Sequence, residues 1–268
     1  MATIAHLSDI HFGRVDPRIV EPLIETTNAL RPDLMVMSGD LTQRARRQQF
    51  RDARNCLDRL PHPQLVIPGN HDVPLWDVAL RFTDPYGRYK HYIQHDLDPV
   101  FTCDAFIAVG LNSARNYPFH GGGRVNEVQV DRAAALLRQS PPDKLKIVVT
   151  HHPFYLPSDA HARKHLLGRA EMAMERLAAA GVDVFLAGHL HVHHVEHAAK
   201  RFKIDGHSAL LIQAGTLSTR HRGEVNSFNM LRLTERQIDV ERYDWNVTNG
   251  TFQPASSESY RRTSDGWF

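Results

Sequence analysis

Residues 34–40 read Leu34–Met35–Val36–Met37–Ser38–Gly39–Asp40. An apolar run this short, without polar alternation and broken by Gly–Asp, reads as a β-strand buried on both faces. The same pattern recurs outward from it. Thr3–Ser8 leads into Asp9–Ile10–His11, and Gln64–Pro68 into Gly69–Asn70–His71–Asp72. Leu145–Thr150 leads into His151–His152–Pro153, and Val182–Ala187 into Gly188–His189–Leu190–His191. Ala105–Gly110 is a further strand-like run. Between these runs lie amphipathic stretches that predict helices over Pro17–Leu30, Ala45–Leu60, Asn126–Gln139 and Arg169–Ala180. Pro17 suits a first helical turn, and Pro32 and Gly181 fit just beyond helix ends. Strands alternating with helices predict βαβ units. After Gly188 the helices thin out. Val192–Phe202, Ala209–Ala214, Phe228–Leu233 and Ile238–Tyr243 read as strands, predicting a second sheet of hairpins stacked on the first. One domain is expected over 1–245. The polar stretch 246–268, with scattered aromatics, is expected to be a tail packed on that domain or on a partner subunit.

Composition narrows the classes. The 268 residues are 42% hydrophobic and 23% charged, enough for one large core and not a disordered chain. A net charge of +2 argues against a dedicated nucleic-acid arm. Arg44, Arg47, Arg51 and Arg54 share one helix face and read as a solvated surface, with only Arg44 beginning close to Asp40. Two cysteines, Cys56 and Cys103, cannot build a disulfide framework or a cysteine-rich zinc site. Met1–Ala2–Thr3–Ile4 lacks the basic start of a signal peptide, and no apolar stretch approaches the ~18 residues of a membrane span. A cytoplasmic protein is therefore expected. The 18 histidines stand out. Histidine is the commonest metal ligand and the acid–base group of neutral pH.

In open α/β sheets, ligands bind in the crevice beyond the carboxyl ends of the strands. The polar clusters above sit at such ends and would deliver Asp, His and Asn to one crevice. Carboxylate, imidazole and amide donors without thiolate suit borderline or hard divalent metals. Two carboxylates, one amide and four histidines exceed what one ion needs and fit two ions sharing a bridge. Two-metal sites of this kind hydrolyse phosphate esters.

The ordered series Asp9-x-His11, Gly39–Asp40, Gly69–Asn70–His71–Asp72, His151 and Gly188–His189-x-His191 resembles the calcineurin-like metallophosphoesterase superfamily. The resemblance covers Asp9 to His191. It is nearest to the small bacterial cyclic-nucleotide phosphodiesterases and glycerophosphodiesterases, through 8–13, 68–72 and Gln213–Ala214–Gly215–Thr216. It implies an α/β fold, a four-layer α/β/β/α sandwich of two stacked mixed β-sheets flanked by helices. It also implies two divalent or mixed-valence metal ions, drawn from Mn, Fe, Zn or Co. Asp9, His11 and His191 would bind the first ion and Asn70, His151 and His189 the second, with Asp40 bridging. A hydroxide held between the ions would attack phosphorus. His71 would hold a phosphate oxygen and stabilise or protonate the leaving group, and Asp72 would either orient His71 or serve as a helix N-cap or loop acid. Asn70, His71, His161 and Arg220 are candidate substrate contacts.

Departures from other branches narrow the expectation. Gln43 stands where purple acid phosphatases carry a tyrosine ligand, and His71 where lipid A pathway hydrolases carry arginine. Asp72 stands where serine/threonine phosphatases carry glutamate. The expected substrate is a small phosphodiester, cyclic nucleotides first and glycerophosphodiesters next. No membrane and no nucleic-acid polymer is expected as a partner, and a homodimer is left open. The competing readings are an SbcD-like nuclease and a regulatory metal-binding scaffold with vestigial activity. The intact ligand set and His71 disfavour the scaffold.

Overall fold

A computed structural model describes residues 1–116, 122–155, 165–197 and 208–268. The first half alternates as expected. Strand β1 (Ala2–Leu7), helix α1 (Pro17–Leu30), β2 (Leu34–Met37), α2 (Arg47–Leu57) and β3 (Gln64–Val66) follow in order. Asp16 caps α1, accepting from the Arg18 amide at 3.0 Å, and Pro17 takes the first turn. Two short helices, α3 (Val78–Thr83) and α4 (Gly87–Tyr92), and strand β4 (Val100–Thr102) had no periodic signal. Then come β5 (Phe106–Leu111), α5 (Glu127–Gln139), β6 (Leu145–Thr150), α6 (Ala170–Ala178) and β7 (Val184–Ala187). The chain ends with β8 (His194–His197), β9 (Leu210–Gln213), β10 (Ser227–Leu233), β11 (Gln237–Asn246), β12 (Thr251–Thr263) and β13 (Gly266–Trp267).

These strands make two mixed sheets. One has the order β13-β12-β11-β10-β1-β2-β3, the other β4-β5-β6-β7-β9-β8. Here the structure differs from the sequence reading. The hairpins after Gly188 form no separate sheet. β10 pairs antiparallel with β1 and β9 parallel with β7, so the late strands extend both halves. The reason is edge satisfaction: β1 and β7 would otherwise leave apolar strands with unpaired backbone at an open edge. The span 246–268 carries β12 and β13, and β12 pairs with β11 over Thr251–Arg261.

Alternation along nominally all-apolar strands assigns their faces. Ile4, Leu34, Val36, Leu65, Ile147, Val149, Val184 and Ile212 point between the sheets. Ala5, Leu7, Met35 and Met37 pack on α1 and α2 through Ile19, Leu23, Phe50 and Leu57. Ile107, Val148, Phe185 and Leu211 pack on α5 and α6 through Val130, Leu137, Ala173 and Leu177. The result is four layers, α/β/β/α. No described helix is long and apolar enough to cross a membrane.

The C-terminal residues close the inter-sheet core. Trp267 is fully buried, and its indole N–H donates to Asp183 Oδ1 at 3.0 Å. Arg262 pairs with the same carboxylate and lies over the indole ring. Replacing Trp267 by alanine opens a large cavity and removes a donor from a buried carboxylate. Trp267→Ala is expected to lose about 3–5 kcal/mol of stability in urea unfolding; an unmoved midpoint would show that β13 is not part of the cooperative core.

Candidate metal centre

The parallel strands of both sheets end at one seam, and every chemical motif lies there. Asp9 and His11 follow β1, Asp40 follows β2, and Asn70–Asp72 forms a 3-10 turn after β3. His151 follows β6, and His189 and His191 follow β7. The loops are stitched together across the seam. The Asp9 amide donates to Gly39 O at 3.1 Å, and the His11 amide to Asp40 O at 3.0 Å. From the other sheet, the His189 amide donates to Asp9 Oδ2 at 2.8 Å. Gly69 and Gly188 allow this approach: a Cβ on Gly69 would strike Asp40, and one on Gly188 would strike Ser8 and Asp9.

The backbone is strained at the same places. Eight non-glycine residues have positive φ among the described residues, and five of them are Asp9, His11, Asp40, His189 and His191. Left-handed backbone costs energy for such side chains and concentrates at functional sites. Here it turns side chains inward that an extended chain would carry past the seam.

Two donor groups result. Asp9, His11, Asp40 and His191 bring their donor atoms within 4.8 Å of one another, as do His151, His152 and His189. The imidazole tautomers follow from their outer contacts. His151 Nδ1 donates to Ser38 O at 2.8 Å, and His191 Nδ1 donates to Arg220 O at 2.9 Å. Each therefore turns Nε2 inward; burial opposes a charge there, but Asp40 raises the His151 pKa to about 9 and Asp9 raises that of His191, so a bound metal would take the place of the Nε2 proton. His191 Nε2 lies 3.1 Å from Asp9 Oδ1 and 3.2 Å from His11 Nε2. His151 Nε2 lies 3.1 Å from Asn70 Oδ1 and 3.3 Å from His189 Nδ1. Asp40 Oδ2 stands between the groups, 3.4 Å from His11 Nε2 and 3.4 Å from His151 Nε2. Its other oxygen accepts from the His71 amide at 2.8 Å.

Asp9 Oδ1 is buried with no hydrogen-bond partner. A buried carboxylate oxygen without a donor is costly. Metal cations satisfy all of these acceptors at once, so the donor set fits metal binding. Burial opposes ionisation of Asp9, but His191 and His11 outweigh it and hold the carboxyl well below its usual range. Asp40 behaves alike: burial opposes ionisation, and His151, His71 and His11 outweigh it.

His71 lies beside the first group, its ring edge-on to His11 at 4.8 Å between centroids. Burial, offset in part by Asp40 and reinforced by His11, lowers its pKa to about 4. The neutral ring donates Nδ1–H to Gln43 O at 2.9 Å and accepts at Nε2 from Arg220 Nη1 at 2.9 Å. Arg220, reached through the loop after β9, also extends to His11 Nε2 at 3.3 Å.

Asp72 corrects the expectation that it orients His71. Its carboxylate accepts from the amides of Leu41 (3.1 Å), Thr42 (2.8 Å) and Gly69 (2.9 Å). The tight turn at 70–72 sends neighbouring side chains in different directions, and Gln43 O takes the place at His71 Nδ1. Asp72 instead locks the Asp40 loop to the Asn70 loop. His161 lies outside the described residues. The Gln43 contact with His71 escaped sequence reasoning. His152, which reads as supporting or packing beside His151, lies in the second donor group, and His165, in the long segment after His151, has its Nδ1 3.0 Å from His189 Nε2. The Gly215–Thr216 turn after β9 pointed towards Arg220.

Comparison with known proteins decides the family. The family model named calcineurin-like phosphoesterase matches residues 2–193. The chain belongs to that family. Among relatives in it, a glycerophosphodiester phosphodiesterase, GpdQ, of Enterobacter lignolyticus is 35% identical over 56% of this chain and 56% of its own length. A cAMP/cGMP dual specificity phosphodiesterase of Mycobacterium tuberculosis is 28% identical over 70% of this chain and 61% of its own. The chain thus spans little more than half the length of the curated relatives it matches. The yellow lupin purple acid phosphatase PPD1 shares the fold, with a TM-score of 0.71 at 11% identity over 96% of this chain and 53% of that one.

The lock formed by Asp72 has a measurable consequence. An amide at this position keeps one acceptor and turns an N–H towards backbone donors. Asp72→Asn should therefore lose about 1–3 kcal/mol in thermal unfolding and weaken Mn²⁺ binding in calorimetry. Wild-type stability with a changed pH profile alone would return Asp72 to the role of orienting His71.

Proposed function

We propose that the protein is a metal-dependent phosphodiesterase acting on small phosphodiesters, cyclic nucleotides first and glycerophosphodiesters next. The observation that carries this reading is Asp40 Oδ2, equidistant from the inward nitrogens of His11 and His151, one in each donor group. That placement supports two ions sharing one carboxylate. Asp9 Oδ1, His11 Nε2 and His191 Nε2 would complete the first site, and Asn70 Oδ1, His151 Nε2 and His189 Nδ1 the second. Bound there, divalent ions would polarise the phosphoryl group and make water a nucleophile near neutral pH. The donor chemistry admits Mn, Fe, Zn or Co.

The chain's own residues supply the rest. Arg220 offers fixed positive charge beside the first group, where a non-bridging phosphate oxygen would lie. His71 is uncharged with Nε2 as its acceptor atom. A proton taken up there can pass to the departing oxygen. Gln43 O holds the ring so that Nε2, not Nδ1, faces the site. The burial of Asp9, His11, Asp40 and His151 keeps bulk water from screening these interactions.

With Mn²⁺ and bis(p-nitrophenyl) phosphate, His71→Ala and Asp40→Ala are each expected to lower turnover about 10²–10⁴-fold, with the fold retained by circular dichroism. Among natural diesters, 3′,5′- or 2′,3′-cyclic nucleotides should be cut faster than glycerophosphocholine. Unchanged hydrolysis in both variants would overturn the two-metal reading.

A further inference from the structure

A cavity of about 620 Å³ opens beside His71 and is lined by Arg14, Arg44, Arg46 and Arg220, with Gln43 and Gln49. Four guanidinium groups thus border one space, and none of them is ion-paired to a carboxylate among the described residues. Some arginines elsewhere pair with acids, among them Arg18 with Asp16, Arg59 with Glu21 and Arg176 with Asp131. Asp16, two residues from Arg14, is paired with Arg18 instead.

The wall is built rather than accidental. The backbone amides of Arg44 and Arg46 both donate to Gln49 Oε1, at 2.9 and 3.4 Å. The Arg14 carbonyl accepts from the Thr219 amide at 2.8 Å, next to Arg220. Three separate loops, after β1, β2 and β9, therefore present arginine to the same side of His71. Arg44 also lies 5.9 Å from the ring centroid of Trp76, whose indole is three-quarters exposed. An aromatic face at the rim of an arginine-lined cavity suits a nucleobase against a phosphate.

The proposed reaction needs one anion, the scissile diester, and Arg220 with the two donor groups already accounts for it. Arg14, Arg44 and Arg46 exceed that need. Unpaired guanidinium groups converging on one cavity repel each other, and their planar forks match phosphate oxygens in two-point contacts.

We propose that this cavity is a second anion subsite, and that among small phosphodiesters it favours those bearing an additional phosphate monoester, in contact with Arg14, Arg44 and Arg46. This rests on the phosphodiesterase reading and narrows its substrate class. A neutral glycerol or choline arm leaves these charges unanswered. The second phosphate belongs to a nucleotide or to the end of a short nucleic-acid strand, the chemistry at the arginines being the same.

The test compares thymidine 5′-(p-nitrophenyl phosphate) with its 3′-phosphorylated form, in the Mn²⁺-loaded protein, and pTpT with TpT. The added phosphate should lower KM at least tenfold, since one charge-assisted hydrogen bond is worth about that factor. In Arg14→Ala/Arg44→Ala/Arg46→Ala the ratio between paired probes should fall to near one. Whichever phosphorylated probe gains more names the source. Calorimetry with adenosine 3′,5′-bisphosphate against AMP reads the subsite without turnover, with the bisphosphate expected to bind at least tenfold tighter to the wild type only. Cleavage of the unphosphorylated probes without any such preference overturns the subsite and leaves the phosphodiesterase reading standing. No cleavage of any probe, with the bisphosphate preference intact, overturns the phosphodiesterase reading and keeps the anion site. Equal binding of AMP and bisphosphate overturns the subsite whatever the activity.

Discussion

The structure depends on a convergence of ligating atoms. Where the two sheets meet, acceptor atoms of Asp9, Asp40, Asn70, His11, His151, His189 and His191 converge within a few ångströms. The outer nitrogens of His151 and His191 donate to backbone carbonyls, which aims the inner nitrogens at the two carboxylates. Buried carboxylates and imidazoles gathered in this way suit a bound cation. Much else at the seam holds that arrangement together: the left-handed backbone at five donor residues, the close glycines, and Asp72 clamped on three amides of neighbouring loops.

The fold holds that convergence in place. β1, β2, β6 and β7 are buried on both faces, packed between sheets on one side and on helices on the other. Their carboxyl ends are therefore fixed, and the loops that leave them begin at defined points. Direct links between sheets, such as the His189 amide on Asp9 and the His151 ring on Ser38 O, carry that rigidity across the seam. A site assembled from both sheets can be exact only if both cores are.

Sequence reading reached the part of this written in local grammar. A run such as Leu34–Met37 followed by Gly39–Asp40 states both a strand and the donor at its end, and five such endings in order carry the family resemblance. The bounds of α1 match the periodicity because Asp16 and Pro17 mark its start. What sequence could not give is pairing. Nothing in Phe228–Leu233 says that it joins β1, or that Thr251–Thr263 is a long strand, because register is decided by a distant partner. Asp72 was misread for a related reason. Its position beside His71 suggested a partnership, while a tight turn directed it to amides some thirty residues earlier. Arg44 read as part of a solvated helix face and Arg14 and Arg46 carried no signal, yet two loops bring all three to one cavity.

The central claim is that Asp40 joins two ions in one centre. Electron paramagnetic resonance of the protein loaded with Mn²⁺ tests it directly, because ions about 3.5–4 Å apart through a shared carboxylate are magnetically coupled. An exchange-coupled signal at full loading, collapsing to an isolated six-line spectrum in Asp40→Ala, is the expected result. An isolated six-line spectrum in the fully loaded wild type would contradict a shared centre.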